Sequence, residues 1–155
     1  MTDLPIARHL LHEAPPEVSD HVVLDYDQRL IRRKRLVARA GLTFLVDLPE
    51  VTNLDDHWGF QLADGRAVGV LPALEDLIEV RGDLPRLAWH IGNRHTPCAM
   101  GADHLTIRSD HVIAAMLVQL GAHLTPVTGP FRPEGGAYGK GRTMGHDHSH
   151  AHTHA

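Results

Sequence analysis

The stretch Asp83-Leu-Pro-Arg-Leu-Ala-Trp-His-Ile-Gly92 decides the fold of the second half of the chain. Asp83 is a typical helix N-cap, because its carboxylate can accept a free backbone N–H of the first turn. The apolar residues that follow recur at helical spacing, at Leu84, Leu87, Ala88 and Ile91. We therefore predict a helix that begins after Asp83 and stops at Gly92.

Strand patterns and a second helix surround this first helix. Leu77–Arg81 precedes it as a strand, and Pro97–Met100 and His104–Arg108 follow it as two short strands. Ser109 is expected to cap the second helix and Gly121 to end it. Its predicted buried face consists of Val112, Ile113, Met116, Leu117 and Leu120. With a last strand at His123–Val127, the order β-α-β-β-α-β predicts a ferredoxin-like domain.

The first part of the chain has strand patterns without a long helical period. Leu42, Phe44, Val46 and Leu48 alternate with Thr43 and Asp47, and further apolar runs occur at His21–Tyr26 and Ala67–Leu71. The predicted fold class is therefore α+β. We expect a β-rich N-terminal domain over residues 1–73, the ferredoxin-like domain over 74–134 and a disordered Gly- and His-rich tail over 135–155.

Histidine is the outlier of the composition, with 14 copies among 155 residues. Imidazole is the commonest metal-ligating side chain, so this count indicates metal binding. The net charge of -4 argues against nucleic-acid affinity, and the single cysteine, Cys98, excludes an intrachain disulfide framework. Because no secretory signal or transmembrane run is visible, we expect a cytoplasmic protein without a membrane partner.

The end of the chain carries the strongest local signal for a metal. Histidine occupies every second position there, at His146, His148, His150, His152 and His154. Such a segment has little to bury, but several of its imidazoles can wrap one cation, and imidazole suits nickel, copper and zinc. An expression tag is the alternative interpretation, although tags are usually uninterrupted histidine runs.

A second signal is the sequence Trp89-His-Ile-Gly-Asn-Arg-His-Thr-Pro97. With the helix ending at Gly92, His95 would lie on a stiff turn just outside the core, held by Pro97. One histidine cannot bind a metal tightly, but a two-fold dimer presents every residue on its axis twice. The alternative is an ordinary surface histidine in a turn.

Several segments together resemble the UreE family of urease accessory proteins, which are nickel metallochaperones. They are Trp89–Pro97, Ser109–His111, Pro130–Gly139, the His-rich tail and, upstream, Leu24–Arg29 followed by Arg32–Leu36. The resemblance covers nearly the whole chain. It implies a homodimer formed through the ferredoxin-like domain, with Ni(II) bound by His95 between the subunits and by the tail histidines. It also implies that the N-terminal domain over residues 1–73 binds protein partners or peptides. The metal would then pass to a urease accessory GTPase and the urease apoprotein complex.

Two further residues are weaker candidates for metal ligands. Some relatives carry His-Asp-His ahead of the second helix, whereas this chain has Ser109-Asp110-His111, which favours a solvent-facing role for His111. Cys98 lies three residues after His95, and its alternative role is that of a small buried apolar side chain. Zn(II) and Cu(II) are further candidate metals, because imidazole alone does not select nickel.

Basic residues are concentrated in one segment of the predicted N-terminal domain. The segment holds six of the chain's fifteen basic residues: Arg29, Arg32, Arg33, Lys34, Arg35 and Arg39. The cluster could attract an acidic partner or nucleic acid, and the alternative is a solvated strand face. Only Tyr26 lies nearby for base stacking, so we discount nucleic acid.

Enzyme motifs are missing from the sequence, which has no P-loop, no Gly-x-Ser-x-Gly elbow and no His-Glu-x-x-His pair. We therefore predict a metal-delivery protein and not an enzyme. One alternative is a His-rich zinc, copper or nickel buffer without a delivery partner. Another is a protein-interaction module in which the tail is incidental.

Overall fold

A computed structural model describes residues 3–135 of the chain. The chain divides into two compact units on either side of the Ala73–Leu74 bond, and each unit has its own hydrophobic core. The first unit is rich in strands and the second combines strands with α-helices, so the predicted α+β class is confirmed. The predicted tail lies outside the described residues from residue 136 onward, and with it lie all five of its histidines.

The first unit is built on a six-stranded sheet with the strand order β2-β6-β5-β1-β4-β3. Its strands are β1 (Ile6–Leu11), β2 (Asp20–Leu24), β3 (Leu30–Val37), β4 (Thr43–Asn53), β5 (Gly59–Leu62) and β6 (Ala67–Pro72). The pairs β1–β4 and β2–β6 are parallel, and the other neighbours are antiparallel. The alternation predicted around Phe44 is confirmed, because β4 buries Phe44, Val46 and Leu48 on one face.

The core of the first unit contains a buried ion pair beside its apolar residues. The rings of Phe44 and Phe60 lie 5.6 Å apart in an edge-to-face contact. Arg29 is 0% exposed; its Nε donates to Asp55 at 2.6 Å and its Nη1 donates to the Leu24 carbonyl at 2.9 Å. A buried guanidinium requires such partners. Arg29 is therefore a structural residue, unlike the exposed basic residues that follow it in the predicted cluster.

The second unit has a four-stranded sheet in the order β10-β7-β9-β8, and all its neighbouring strands are antiparallel. Its elements are β7 (Leu74–Arg81), α1 (Leu84–Asn93), β8 (Ala99–Met100), β9 (Leu105–Arg108), α2 (His111–Gln119) and β10 (His123–Pro130). Leu87 and Ile91 of α1, with Ile113 and Leu117 of α2, pack on the buried residues of the sheet. The described elements thus follow the order β-α-β-β-α-β.

The helix boundaries confirm some predictions and correct others. Asp83 caps α1 as predicted, because its side chain accepts the backbone N–H of Arg86. The prediction that Ser109 caps α2 is wrong: Asp110 is the N-cap and accepts the N–H groups of Val112 and Ile113. Ser109 instead extends the sheet, since its N–H donates to the Asp76 carbonyl. Val112 was also predicted to be buried, but it is exposed on the first turn of α2.

A search of residues 3–135 for a helix long and apolar enough to cross a membrane finds none.

Candidate metal centre

The end of α1 places His95 in an unusual backbone conformation. The helix passes through Gly92 and ends at Asn93, so the predicted stop at Gly92 is wrong. The N–H of His95 donates to the Gly92 carbonyl at 2.9 Å, and the N–H of Thr96 donates to the Ile91 carbonyl at 3.3 Å. These two bonds define a Schellman cap, in which the residue at the position of His95 adopts a left-handed conformation.

His95 is the one described non-glycine residue with a positive φ, and its φ is 57°. A side chain in this region crowds the following carbonyl, which costs about 1–2 kcal/mol for most residues. The helix nevertheless ends here, because Pro97 restricts the preceding residue and cannot continue the helix. Strain of this kind is concentrated at functional sites, and the exposed imidazole of His95 is therefore a strong candidate ligand.

Four strand ends meet at one end of the second sheet, which we name the His95 end. The antiparallel pairing places the C-terminal ends of β9 and β10 beside the N-terminal ends of β7 and β8. His95, at the end of α1, and the N-terminus of α2 also lie there. An open cleft of about 290 Å³ lies between them, lined by His95, Thr96, Pro97, Arg108, Ser109 and Asp110.

Residues 131–135, which we name the strap, cross the His95 end. Phe131 follows β10 directly and is 1% exposed, with the Arg108 guanidinium 6.0 Å from its ring centroid. Further along, the N–H of Glu134 donates to the Cys98 carbonyl at 2.8 Å. The strap thus runs from the edge strand β10 to the opposite edge strand β8. The chain therefore continues toward its His-rich segment from a point near Cys98, three residues from His95.

The strap lies within Pro130–Gly139, one of the segments that carry the family resemblance, but the sequence alone did not predict a role for Phe131. A signal was available, because Phe131 is one of only three phenylalanines and is the last apolar residue before the glycine-rich segment. An isolated large apolar residue at the end of a domain is often an anchor, since burying its ring contributes roughly 1.5–3 kcal/mol.

The two weaker candidates differ in their surroundings. His111 is exposed at the first position of α2, next to the cleft residue Asp110. Cys98 is half-buried beside the core of the second unit. Burial raises the pKa of the Cys98 thiol to about 11, and the negative charge of Glu134 acts in the same direction. In the metal-free chain this thiol is therefore protonated near neutral pH, and its position against the apolar core favours a packing role.

Within residues 3–135, no three His, Cys, Asp or Glu side chains lie close enough together to enclose a metal ion. The His95 end therefore provides the exposed imidazole of His95 beside an open cleft, where the Asp110 carboxylate is already engaged as the N-cap of α2. Such an arrangement can contribute a single ligand to a metal that is also held by other groups.

Other histidines of the described chain have side-chain partners of their own. His104 is held by Asp103 at 2.7 Å, near the β8–β9 turn at the opposite end of the sheet. In the first unit, the His12 and His57 rings stack with centroids 4.9 Å apart. Burial lowers the pKa of His57, and the charge of His12 acts in the same direction, with Asp56 opposing.

Two family models match the chain in succession. The model described as "UreE urease accessory protein, N-terminal domain" matches residues 4–73, and the one described as "UreE urease accessory protein, C-terminal domain" matches residues 75–155. The boundary between the two matches falls where the two compact units divide.

Curated relatives agree with these matches over most of their own length. A protein named urease accessory protein UreE from Rhodobacter capsulatus is 59% identical over 137 residues, covering 88% of each chain. Proteins with the same name from Cereibacter sphaeroides and Paracoccus denitrificans are 56% and 58% identical, covering 97% and 90% of this chain and 84% and 90% of their own. This chain is thus similar to a class of accessory proteins. It belongs to the UreE family of urease accessory proteins.

Proposed function

We propose that this protein binds Ni(II) through His95 and delivers it for assembly of the urease active site. The observation that carries this proposal is the left-handed backbone of His95, since a glycine would end α1 with less strain. Membership of a urease accessory family supports nickel as the cargo. Neutral imidazole binds nickel well, and protonation competes with the metal, so release is favoured as the pH falls through the histidine range.

The proposed site lies between two copies of the chain. We propose that the second unit is a ferredoxin-like domain, which its antiparallel 4-1-3-2 strand order supports, and that it forms a homodimer. Exposed apolar residues on its helices, Trp89 of α1 and Val112 and Val118 of α2, offer a surface for a second copy. A two-fold axis near His95 would supply two imidazoles to one ion.

The tail histidines are the proposed additional ligands: His146, His148, His150, His152 and His154. The strap supports this role, because the hydrogen bond from Glu134 to Cys98 starts the tail beside His95. From Gly135 to His146 is 146 − 135 = 11 residues. A glycine-rich chain of that length typically spans about 17–20 Å. The first tail histidine can therefore reach His95 of the same chain or of a partner subunit.

Delivery requires protein partners, for which we propose the urease accessory GTPase and the urease apoprotein complex. In this proposal the first unit contacts them and the protein acts in the cytoplasm. The competing function is a His-rich buffer that also takes Zn(II) or Cu(II) and has no delivery partner. The two functions differ in what they require of His95, because a buffer depends on the number of tail histidines alone.

Nickel titration by calorimetry, with mass determination in parallel, tests the proposal. The proteins are the full chain, His95→Ala, the matched control His123→Ala and a chain truncated after Gly145. His123 is also exposed, but it lies at the end of the sheet away from His95. We expect one tight nickel per dimer, lost in His95→Ala and kept in His123→Ala, with weaker sites lost on truncation. An unchanged tightest site in His95→Ala would instead support the buffer.

A further inference from the structure

The strand β3 forms one edge of the first sheet and carries exposed basic residues. It is the last strand in the order of that sheet, so within residues 3–135 no other strand pairs with its outer side from Leu30 to Val37. Just beyond β3, the Arg39 N–H donates to the His21 carbonyl of β2 at 2.7 Å, which limits the open edge to β3 itself. Its exposed sequence Arg32-Arg33-Lys34-Arg35 contains four consecutive cations. An open strand edge can bind another extended chain through backbone hydrogen bonds, and its side chains determine which chain is accepted.

The acidic groups beside this edge do not neutralise its charge. Asp47 lies opposite Arg33 on β4, and its carboxylate is shared between Arg33 at 3.3 Å and Arg8 of β1 at 3.5 Å. The residue opposite Lys34 is Val46 and the residue opposite Arg35 is Leu45. This part of the edge therefore has a clear excess of positive charge, although the whole chain has a net charge of -4.

Regular pairing of β3 with β4 defines the length of edge on which an additional strand could pair. A bulge interrupts the register between Ile31 and Arg33, and from Arg33 to Val37 every residue pairs in sequence with β4. Alternation places Arg33, Arg35 and Val37 on one face of the sheet and Lys34 on the other. We name Arg33–Val37 the basic edge. A strand added there would meet cations on both of its faces.

We propose that the basic edge binds an extended acidic segment of a partner protein, which joins the sheet as an additional strand. A second copy of this chain fits poorly, because two basic edges would repel each other. Nucleic acid fits less well than a peptide, because it makes no use of an open strand edge and stacks on aromatic rings. The ring nearest to β3 in sequence, Tyr26, is only 3% exposed. This inference rests on the proposed role of the first unit in contacting protein partners, and it is independent of the nickel site.

The test uses a fluorescein-labelled peptide rich in glutamate and valine, with binding to the full chain followed by fluorescence anisotropy. One control peptide has glutamine in place of glutamate, and another keeps its charges but is N-methylated at alternate backbone nitrogens. A third probe is an oligothymidylate of similar charge. The protein variants are Arg35→Glu and the matched Arg86→Glu, which makes the same charge change at an exposed position of α1. Lys34→Glu replaces Arg35→Glu if circular dichroism shows that the latter is unfolded.

The proposal predicts binding that weakens as salt is added, because exposed charges are screened. We expect Arg35→Glu to weaken it by at least about tenfold and Arg86→Glu by less than about twofold. The glutamine and N-methylated peptides should both bind more weakly than the acidic peptide. Equal loss in the two protein variants, or no binding of the acidic peptide, would overturn the proposal. Equal binding of the N-methylated peptide or of oligothymidylate would overturn strand addition and leave only unspecific charge attraction.

Discussion

The two helices of the second unit end in the same hydrogen-bonded cap but with different residues in its left-handed position. In α1 the residue is His95 with φ 57°, and in α2 it is Gly121 with φ 87°. The bonds correspond, because Gly121 donates to the Val118 carbonyl at 3.0 Å and Ala122 to the Leu117 carbonyl at 3.0 Å. Glycine adopts this conformation at no steric cost, whereas histidine adopts it only with steric strain.

The two caps also lie at opposite ends of the sheet. Gly121 lies beside Gly82, near the end of β7, where the chain only turns from one element to the next. His95 lies at the other end, beside the cleft and the strap. The end with the strained cap is therefore also the end where the tail begins. The cap of α2 thus has the glycine that relieves this strain, whereas the cap of α1 keeps the strain at the residue of the proposed nickel site.

The largest expected effect comes from removing the anchor found only at the His95 end. Phe131→Ala should destabilise the second unit by about 3–5 kcal/mol, because it removes a fully buried aromatic side chain. Denaturant unfolding measures this loss, with Phe131→Leu as the control that keeps most of the buried area. If Phe131→Ala still folds, its freed tail should contribute less to nickel binding. A variant as stable as the parent would show that the strap is not anchored by this ring.

Exchanging the residues of the two caps tests whether cap shape alone makes a metal site. Gly121→His should cost about 1–2 kcal/mol, because it moves a histidine into the left-handed region. Gly121→Asn is the matched control, because asparagine tolerates the left-handed region and brings no imidazole. Neither variant should gain a tight nickel site in titrations. Tight nickel binding by Gly121→His would mean that the surroundings of His95 are unimportant.

The reverse change separates stability from function at the cap of α1. His95→Gly should raise the free energy of unfolding by about 0.5–1 kcal/mol, because glycine relieves the left-handed strain. The same variant should lose the tightest nickel site. Thermal unfolding and nickel titration on one preparation check both outcomes, with His95→Ala as the comparison that removes the imidazole but keeps the strain. Lower stability of His95→Gly would mean that its side chain makes contacts that outweigh the strain.

The smallest expected effect concerns Cys98, which lies between His95 and the strap. Because burial holds its pKa at about 11, its thiolate fraction is low near pH 7 and rises about tenfold per pH unit below that pKa. Alkylation by iodoacetamide should therefore be slow near pH 7 and accelerate steadily up to about pH 10. Cys98→Ala should leave nickel affinity and stoichiometry unchanged in the titration. A clear loss of nickel affinity in that variant would make Cys98 a ligand.

Local patterns in the sequence predicted much of the fold. The alternation around Phe44 corresponds to β4, Asp83 caps α1, and Gly121 follows α2 as its left-handed residue. The wrong predictions concern the ends of helices, where two neighbouring residues can both act as the cap. Ser109 and Asp110 can both cap a helix, and the choice depends on the bond from Ser109 to Asp76, which is a long-range contact.

The sequence by itself predicted that histidine is the metal-ligating side chain, and the resemblance to the UreE family made His95 the main candidate among the described residues. It did so because metal binding needs particular ligand types, and their enrichment is visible without a fold. The tertiary structure alone decided the strain at His95, the cleft beside it and the strap that starts the tail there. The cleft and the strap depend on contacts between residues far apart in the chain, such as Cys98 with Glu134 and Arg108 with Phe131. Local propensity carries no information about such contacts, because only packing of the whole unit brings these residues together.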